Sequence, residues 1–163
     1  MKKILFPLLL ITISFYSCSK SSTANCNYDP CALKAPDAEI QNLKDTLTRD
    51  GINLGNLTQH CSGILYQIIA PGKGDSATIC KSVNVTYVAK INDSITATHF
   101  DSSTATFPLG SLITAWKSGI PLIKPGGRIL LYVPPTLAYG QWGNGPIPGN
   151  AYLYFDIRLN SIQ

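Results

Sequence analysis

Residues 128–159 read RILLYVPPTLAYGQWGNGPIPGNAYLYFDIRL, two strand-like runs on either side of a long loop. The first run, Arg128 to Val133, is apolar and ends at Pro134-Pro135, which cannot donate hydrogen bonds to a strand ladder. The second run places apolar side chains at every second position, namely Leu153, Phe155, Ile157 and Leu159. This period of two predicts a strand with one buried face. Because loops held by a rigid sheet often carry binding groups, the intervening loop is the first candidate for a functional site.

Four pieces of this stretch occur together at a specific spacing. They are the proline-ended strand, LAYG at Leu137 to Gly140, the pair Ile147-Pro148, and L-x-F-D-I-x-L at Leu153 to Leu159. In these pieces the stretch resembles the C-terminal third of FKBP-type peptidyl-prolyl isomerases.

Upstream segments continue the resemblance in the family's order. They include an early strand with its P-G-x-G turn, an alternating central strand, and pieces similar to the family's F-D-S-S, F-x-L-G, V-I-x-G-W and G-x-x-x-M-x-x-G segments. In this chain they are Leu65–Gly74, Val83–Val88, Phe100–Ser103, Phe107–Gly110, Leu112–Trp116 and Gly119–Gly127. The resemblance covers about residues 63–162, and we assign the isomerase domain to residues 63–163. It implies an α+β fold, in which a twisted, largely antiparallel sheet of about five strands wraps around one short helix.

The resemblance also implies an apolar pocket roofed by loops at one edge of the sheet. In such a pocket Trp116 is the floor for a prolyl ring, and the Ile113 N–H and the Tyr139 hydroxyl bind carbonyl groups of the substrate. Asp101 lies beside the twisting amide and accepts a hydrogen bond from Tyr87. The catalytic residues are then Asp101, Tyr139, Ile113 and Phe100. The substrate-binding residues are Tyr87, Phe107, Leu112, Trp116, Ile147 and Phe155, and neither a metal nor a cofactor is required.

Each of these residues also has a purely structural interpretation. Tyr87 and Phe155 lie on predicted strands and would serve equally well as core, and Trp116 begins an apolar helix where tryptophan is more often core than platform. Asp101 precedes two serines and suits a turn or a helix cap. Their joint occurrence in the family's order favours the pocket.

Three departures from the family pattern bear on substrate preference. The glycine that usually precedes the tryptophan is Ala115, and the polar segment Ile91–Thr98 makes the connection from Tyr87 to Phe100 longer than in compact members. The loop before Ile147 carries an extra aromatic residue, Trp142.

The function that the resemblance implies is peptidyl-prolyl cis-trans isomerisation of exported proteins, with proline-containing polypeptides as partners. A chaperone-type binding lipoprotein with the same groove and little turnover is the alternative, and a structural surface lipoprotein is a third. The chain of 163 residues, 45% apolar and 13% charged, suits one modest domain with extensions. Its formal charge of +4 includes no basic block, which argues against a nucleic-acid partner. We expect a monomer.

The first 17 residues have the pattern of an export signal. Lys2-Lys3 precedes an apolar run from Ile4 to about Tyr16, too short to span a membrane and suited to a signal peptide; a buried N-terminal helix is the alternative. The following Cys18 resembles the lipidated first residue of a bacterial lipoprotein, although Tyr16 is larger than is usual there. Residues 18–35 would then be a lipidated tether with a small disulfide loop. The expected location is the bacterial cell envelope, with the chain anchored to a membrane.

Four cysteines remain after Cys18, an even number that in an exported chain indicates two disulfides. The candidates are Cys26, Cys31, Cys61 and Cys80, for which three pairings are possible. We favour Cys26–Cys31, across a tight turn, with Cys61–Cys80. A metal site is a weak alternative because no C-x-x-C pair is present. His60 and His99 are expected to be isolated surface residues.

Pro36 to Arg49 is predicted to be a helix in an N-terminal extension of residues 36–62. Apolar residues recur at Ile40, Leu43 and Leu47, acids lie early, and Gly51 follows the end. We expect this single apolar stripe to dock on the flank of the domain, and a dimerising helix is the alternative.

Overall fold

The computed structural model describes residues 26–91 and 98–163. The predicted signal peptide, Cys18 and the first part of the tether lie outside the described residues, as does most of the polar segment after Ile91. The side chains of Thr98 and His99 are outside them too, so the expectation for His99 stays a prediction. Among the described helices, none has the length and apolar character needed to cross a membrane.

One antiparallel sheet of six strands forms the centre of the protein. The strands are β1 (Thr58–Gln59), β2 (Leu65–Ala70), β3 (Ser82–Ile91), β4 (Thr98–Pro108), β5 (Arg128–Val133) and β6 (Leu153–Ile162). Their order across the sheet is β1-β2-β5-β6-β3-β4, with every neighbouring pair antiparallel. The predicted α+β class is confirmed. The sheet has one strand more than expected because the short segment β1 pairs with the start of β2.

The strand β6 lies inside the sheet between β5 and β3, and its alternation is as predicted. Its inward side chains, Leu153, Phe155, Ile157 and Leu159, are all buried. On the opposite face Asp156 accepts two hydrogen bonds from Arg128, at 2.9 and 2.7 Å, across the β5–β6 pair. The buried face therefore belongs to the main core. On the opposite face Tyr154 and Asp156 are half-buried, and Arg158 and Asn160 are exposed.

The short helix α2 (Thr114–Gly119) packs on the inward face of the sheet. Its last residue, Gly119, lies so close to β5 that a Cβ there would be 2.7 Å from Cδ1 of Leu131. A side chain at this position would have to displace Leu131, and the close approach brings Trp116, one turn earlier, against the inward face of the sheet.

The predicted N-terminal helix is confirmed as α1 (Asp37–Arg49), with Pro36 as the residue that precedes its first turn. Its apolar stripe is buried within this chain: Leu43 and Leu47 pack with Leu65 and Tyr132 in a second small core. Intramolecular packing thus accounts for the stripe, and a dimerising role is not needed to explain it.

The favoured disulfide pairing was wrong. The structure joins Cys26 to Cys80 and Cys31 to Cys61, so the first bond ties the segment before α1 to the domain and the second ties it to the turn just before the domain. The physical reason is a contact distant in sequence: Ala35 N–H donates to the Ser62 carbonyl at 2.8 Å, which lays the segment before α1 against the turn that carries Cys61. The bonds close separations of 54 and 30 residues, worth about 4 and about 3.5 kcal/mol respectively if unfolded-chain entropy dominates.

Candidate functional site

An open pocket of about 170 Å³ lies between the inward face of the sheet and α2. Its walls come from β3, β4, β6, the start of α2 and the loop after β5. The lining residues are Tyr87, Ala89, Phe100, Asp101, Phe107, Leu112, Ile113, Trp116, Tyr139 and Phe155. Of the ten predicted site residues, all but Ile147 lie on this one surface.

Trp116 is the centre of this pocket. Its side chain is 5% exposed, and three other rings meet it nearly edge-on. Ring centroids lie 5.2 Å from Tyr87, 5.5 Å from Phe155 and 6.2 Å from Phe107. Edge-to-face contacts of this kind hold each ring in a fixed orientation. Trp116 and Phe155 also belong to the hydrophobic core, so the structural and the pocket interpretations both hold for them.

The indole N–H of Trp116 is a buried donor for which the described residues supply no acceptor. Buried polar groups are nearly always hydrogen-bonded, so this one is unusual. It lies on a residue that already lines the pocket.

Two polar side chains meet at the edge of the apolar surface, where the Tyr87 hydroxyl donates a short hydrogen bond to Oδ2 of Asp101. Asp101 pairs with Ala89 in the β3–β4 register, so Tyr87 is its diagonal neighbour on the same face. Burial, and then the hydrogen bond and charge of Asp101, raise the pKa of Tyr87 to about 12. The phenol therefore stays protonated at neutral pH and keeps donating to the carboxylate.

Ile113 and Tyr139 present the remaining polar groups. Ile113 immediately precedes α2, and its carbonyl accepts from the N–H groups of Trp116 and Lys117 at 3.0 and 3.2 Å. Its own N–H lies ahead of the first turn, where the helix offers no partner. Tyr139 follows a 3₁₀ helix, Pro135–Leu137, and lines the same pocket as Tyr87.

Ile147 is not among the residues that line the pocket. It is 6% exposed and packs in the core, held in a tight turn by reciprocal backbone hydrogen bonds with Asn144. The turn is compact because Gly143, at φ +70°, lies where a Cβ would be 2.2 Å from the Ile147 carbonyl. The neighbouring Trp142 is 86% exposed.

Sequence reasoning missed Ala89 as a lining residue. The signal was present, because Ala89 continues the alternation of Val85 and Tyr87 on the inward face of β3. Its small side chain leaves room between Asp101 and Phe155, which flank it on β4 and β6.

The prediction that His60 is an isolated surface residue is wrong, because the side chain is half-buried and has a polar neighbour. Its Nδ1 is 2.9 Å from the Ser62 hydroxyl, and burial lowers the pKa of the imidazole. Ligand atoms of Cys31, His60 and Cys61 lie within 4.8 Å of one another. The two sulfurs are joined in a disulfide, so the thiolates that a metal would need are not available.

Residues 74–160 match a family described as "FKBP-type peptidyl-prolyl cis-trans isomerase", more than half of the chain. The chain belongs to the FKBP family. Its matched segment contains all the residues that line the pocket.

Similar proteins support the assignment. FkpA of Aeromonas hydrophila, an FKBP-type isomerase by name, is 38% identical over 107 residues, which cover 63% of this chain and 39% of that protein. The isomerase Mip of Coxiella burnetii is 39% identical over 108 residues, 63% of this chain and 46% of Mip. A probable FkpA of Neisseria meningitidis serogroup B is 37% identical, with coverages of 74% and 43%. This FKBP chain thus aligns with less than half the length of these relatives.

Solved structures have the same fold. The crystal structure of FkpA from Escherichia coli matches with a TM-score of 0.64 at 28% identity, over 78% of this chain and 63% of the other. A peptidyl-prolyl cis-trans isomerase from Pseudomonas syringae pv. tomato matches with a TM-score of 0.66 at 27% identity, over 80% and 98%.

Proposed function

We propose that this FKBP-family chain is a peptidyl-prolyl cis-trans isomerase that acts on X-Pro bonds in the pocket around Trp116. The single observation that carries the proposal is the arrangement of that pocket. The apolar floor is Trp116, and the rings around it are those of Tyr87, Phe100, Phe107 and Phe155. The carboxylate of Asp101, bonded to the Tyr87 hydroxyl, and the Tyr139 phenol lie at the edge of this surface.

The chemistry requires no nucleophile. Rotation about an X-Pro bond is slow because amide resonance must be lost, with a barrier of about 18–20 kcal/mol. The planar amide is more polar than the twisted one, so an apolar pocket favours the twisted state. Each 1.4 kcal/mol gained selectively at the transition state accelerates the reaction about tenfold.

The residues would divide this work as follows. The prolyl ring lies on Trp116, and Phe100 closes the pocket beside it. The Ile113 N–H and the Tyr139 hydroxyl donate to carbonyl groups of the peptide and hold it in the twisted geometry. Asp101, held by Tyr87, places its carboxylate beside the rotating amide. These roles agree with the positions of the groups around one apolar surface.

The chaperone-type alternative is not favoured, because the family and the relatives carry isomerase names. Refolding of a protein whose slow phase is limited by proline isomerisation separates the two functions. We expect the oxidised FKBP chain to accelerate that phase at substoichiometric concentration. Suppressed aggregation with an unchanged slow phase would instead indicate a binding protein without turnover.

We also propose that the chain is exported to the bacterial cell envelope and anchored to a membrane through a lipid on Cys18. The pattern of residues 1–18 and the paired cysteines, which are typical of exported proteins, support this proposal. Metabolic labelling with a fatty acid tests it: label should enter the wild-type chain and be absent from the Cys18→Ala variant. An unlabelled wild-type chain in a lipoprotein-processing bacterium would overturn it.

A further inference from the structure

Glu39 of helix α1 reaches into the loop that carries Tyr139. Its carboxylate accepts two hydrogen bonds from one residue, Thr136: the backbone N–H donates to Oε2 at 3.1 Å and the hydroxyl to Oε1 at 2.7 Å. Both groups are half-buried, and 97 positions separate the two residues in the chain. Glu39 lies outside the segment that matches the FKBP family, which begins at residue 74.

Glu39 caps the 3₁₀ helix Pro135–Leu137 from a different part of the chain. Thr136 is the second residue of the 3₁₀ helix Pro135–Leu137, and Pro134, which precedes this helix, has no polar side chain to cap it. Proline also has no N–H, so Thr136 has the first free donor of the helix. The Glu39 carboxylate satisfies that donor, as the side chain of a capping residue would.

The capped turn fixes the backbone on both sides of Tyr139. The Pro135 carbonyl accepts from Ala138 N–H at 3.0 Å and from Gly140 N–H at 2.9 Å. Leu137, between the cap and the tyrosine, is fully buried. The orientation of the Tyr139 phenol over the pocket therefore depends on a turn whose start is held by Glu39.

We propose that Glu39 is a positioning residue of the isomerase, which holds the Thr136–Gly140 turn so that the Tyr139 hydroxyl meets the substrate carbonyl. The N-terminal extension then contributes to the site by fixing the position of Tyr139. The apolar stripe packs α1 against β2 and β5, the Cys31–Cys61 bond joins the segments on either side of α1, and Glu39 connects α1 to the loop that carries Tyr139. This inference rests on the proposed function and adds Glu39 to the residues that serve it.

The matched variants are Glu39→Ala and Asp37→Ala. Each removes one carboxylate from the first turn of α1. Asp37 is exposed and pairs with Lys34 at 2.9 Å, a surface ion pair of a kind that contributes little to stability. The loss of charge from the first turn is common to both variants, whereas the two hydrogen bonds to Thr136 are lost only in Glu39→Ala.

The first readout is independent of catalysis. Amide hydrogen exchange of Ala138 and Gly140, measured by NMR on the full oxidised chain, should be about fivefold faster in Glu39→Ala than in Asp37→Ala, because opening of the turn exposes both donors. Equal exchange in the two variants would overturn the positioning role, whether or not the protein is an isomerase.

The second readout connects Glu39 to Tyr139. We expect Glu39→Ala to lower kcat/KM for an X-Pro peptide about tenfold, since misplaced groups lose transition-state contacts. In a Tyr139→Phe background the same change should cost less than about twofold, because the hydroxyl it positions is gone. Equal losses in both backgrounds, or none in either, would contradict the inference. If the wild-type chain has no turnover, the proposed function fails, and the peptide dissociation constant takes the place of kcat/KM in the same cycle.

Discussion

The ring of Trp116 meets the ring of Phe155 almost at a right angle, with planes at 87° and centroids 5.5 Å apart. One residue comes from a six-residue helix and the other from an inner strand of the sheet. Their contact joins the packing of the core to the shape of the pocket. Substitutions that keep the core filled and alter the ring should therefore affect activity more than stability.

Phe155→Leu tests this relationship. The change keeps an apolar side chain and should cost about 1 kcal/mol of unfolding free energy, while the lost ring face lowers kcat/KM about tenfold. Ile157→Leu, two positions along the same buried face, is the control and should keep full activity. Urea titration gives the stability and exchange NMR gives the rate. An active Phe155→Leu variant would remove this residue from the pocket's working surface.

Tyr87 predicts a dependence of stability on alkaline pH. An unfolded tyrosine ionises near pH 10, whereas burial and Asp101 raise the pKa of Tyr87 to about 12 in the folded protein. The folded state thus favours the protonated form. The contribution to stability is fully present below about pH 10 and is lost as the pH rises through about 12.

The phenol carbon of Tyr87, followed by ¹³C NMR, measures this pKa directly. Asp101→Asn should lower it only part of the way towards 10, since burial is the larger cause and remains. If Tyr87 titrated near pH 10 in the wild-type protein, the hydrogen bond between the half-buried Tyr87 and Asp101 would be contradicted.

The disulfides should stabilise the attachment of the extension. Replacing Cys31 and Cys61 together by serine is expected to lower the unfolding free energy by about 3.5 kcal/mol, measured by urea titration under oxidising conditions. Proteolysis without reductant should yield peptides that link Cys26 to Cys80 and Cys31 to Cys61. Recovery of a Cys26–Cys31 peptide would refute this pairing.

Gly119 should resist even the smallest side chain. Alanine is favoured over glycine in helices by about 1 kcal/mol, but a Cβ here would lie 2.7 Å from Leu131, and overpacking costs about 1–3 kcal/mol. We expect Gly119→Ala to lower the melting temperature, and less so in a Leu131→Val background. A variant more stable than wild type would mean that the helix can move away from β5.

The sequence was most informative where the pattern is local. The alternation from Leu153 to Leu159 predicted the buried face of β6. The same alternation in β3 places the overlooked Ala89 on the inward face of the sheet. The resemblance to FKBP-type isomerases, which the order of the aromatic motifs carries, predicted which rings share a surface.

Relations between distant segments could not be predicted in this way. The disulfide pairing depends on where the extension lies, and that position is fixed by tertiary contacts such as Ala35 with Ser62. The Glu39–Thr136 contact has no local signal, because neither residue type is unusual at its position. Ile147 was expected in the pocket, but its turn folds it into the core.

The central claim is that the pocket around Trp116 isomerises X-Pro bonds. The most direct test is exchange NMR of an X-Pro peptide, without a coupling protease, in the presence of the oxidised protein and a macrolide that binds FKBP pockets. We predict cis-trans exchange well above the uncatalysed rate, returning to that rate as the macrolide saturates the protein. Unchanged exchange with the folded, oxidised chain, or catalysis that the macrolide leaves untouched, would contradict the account.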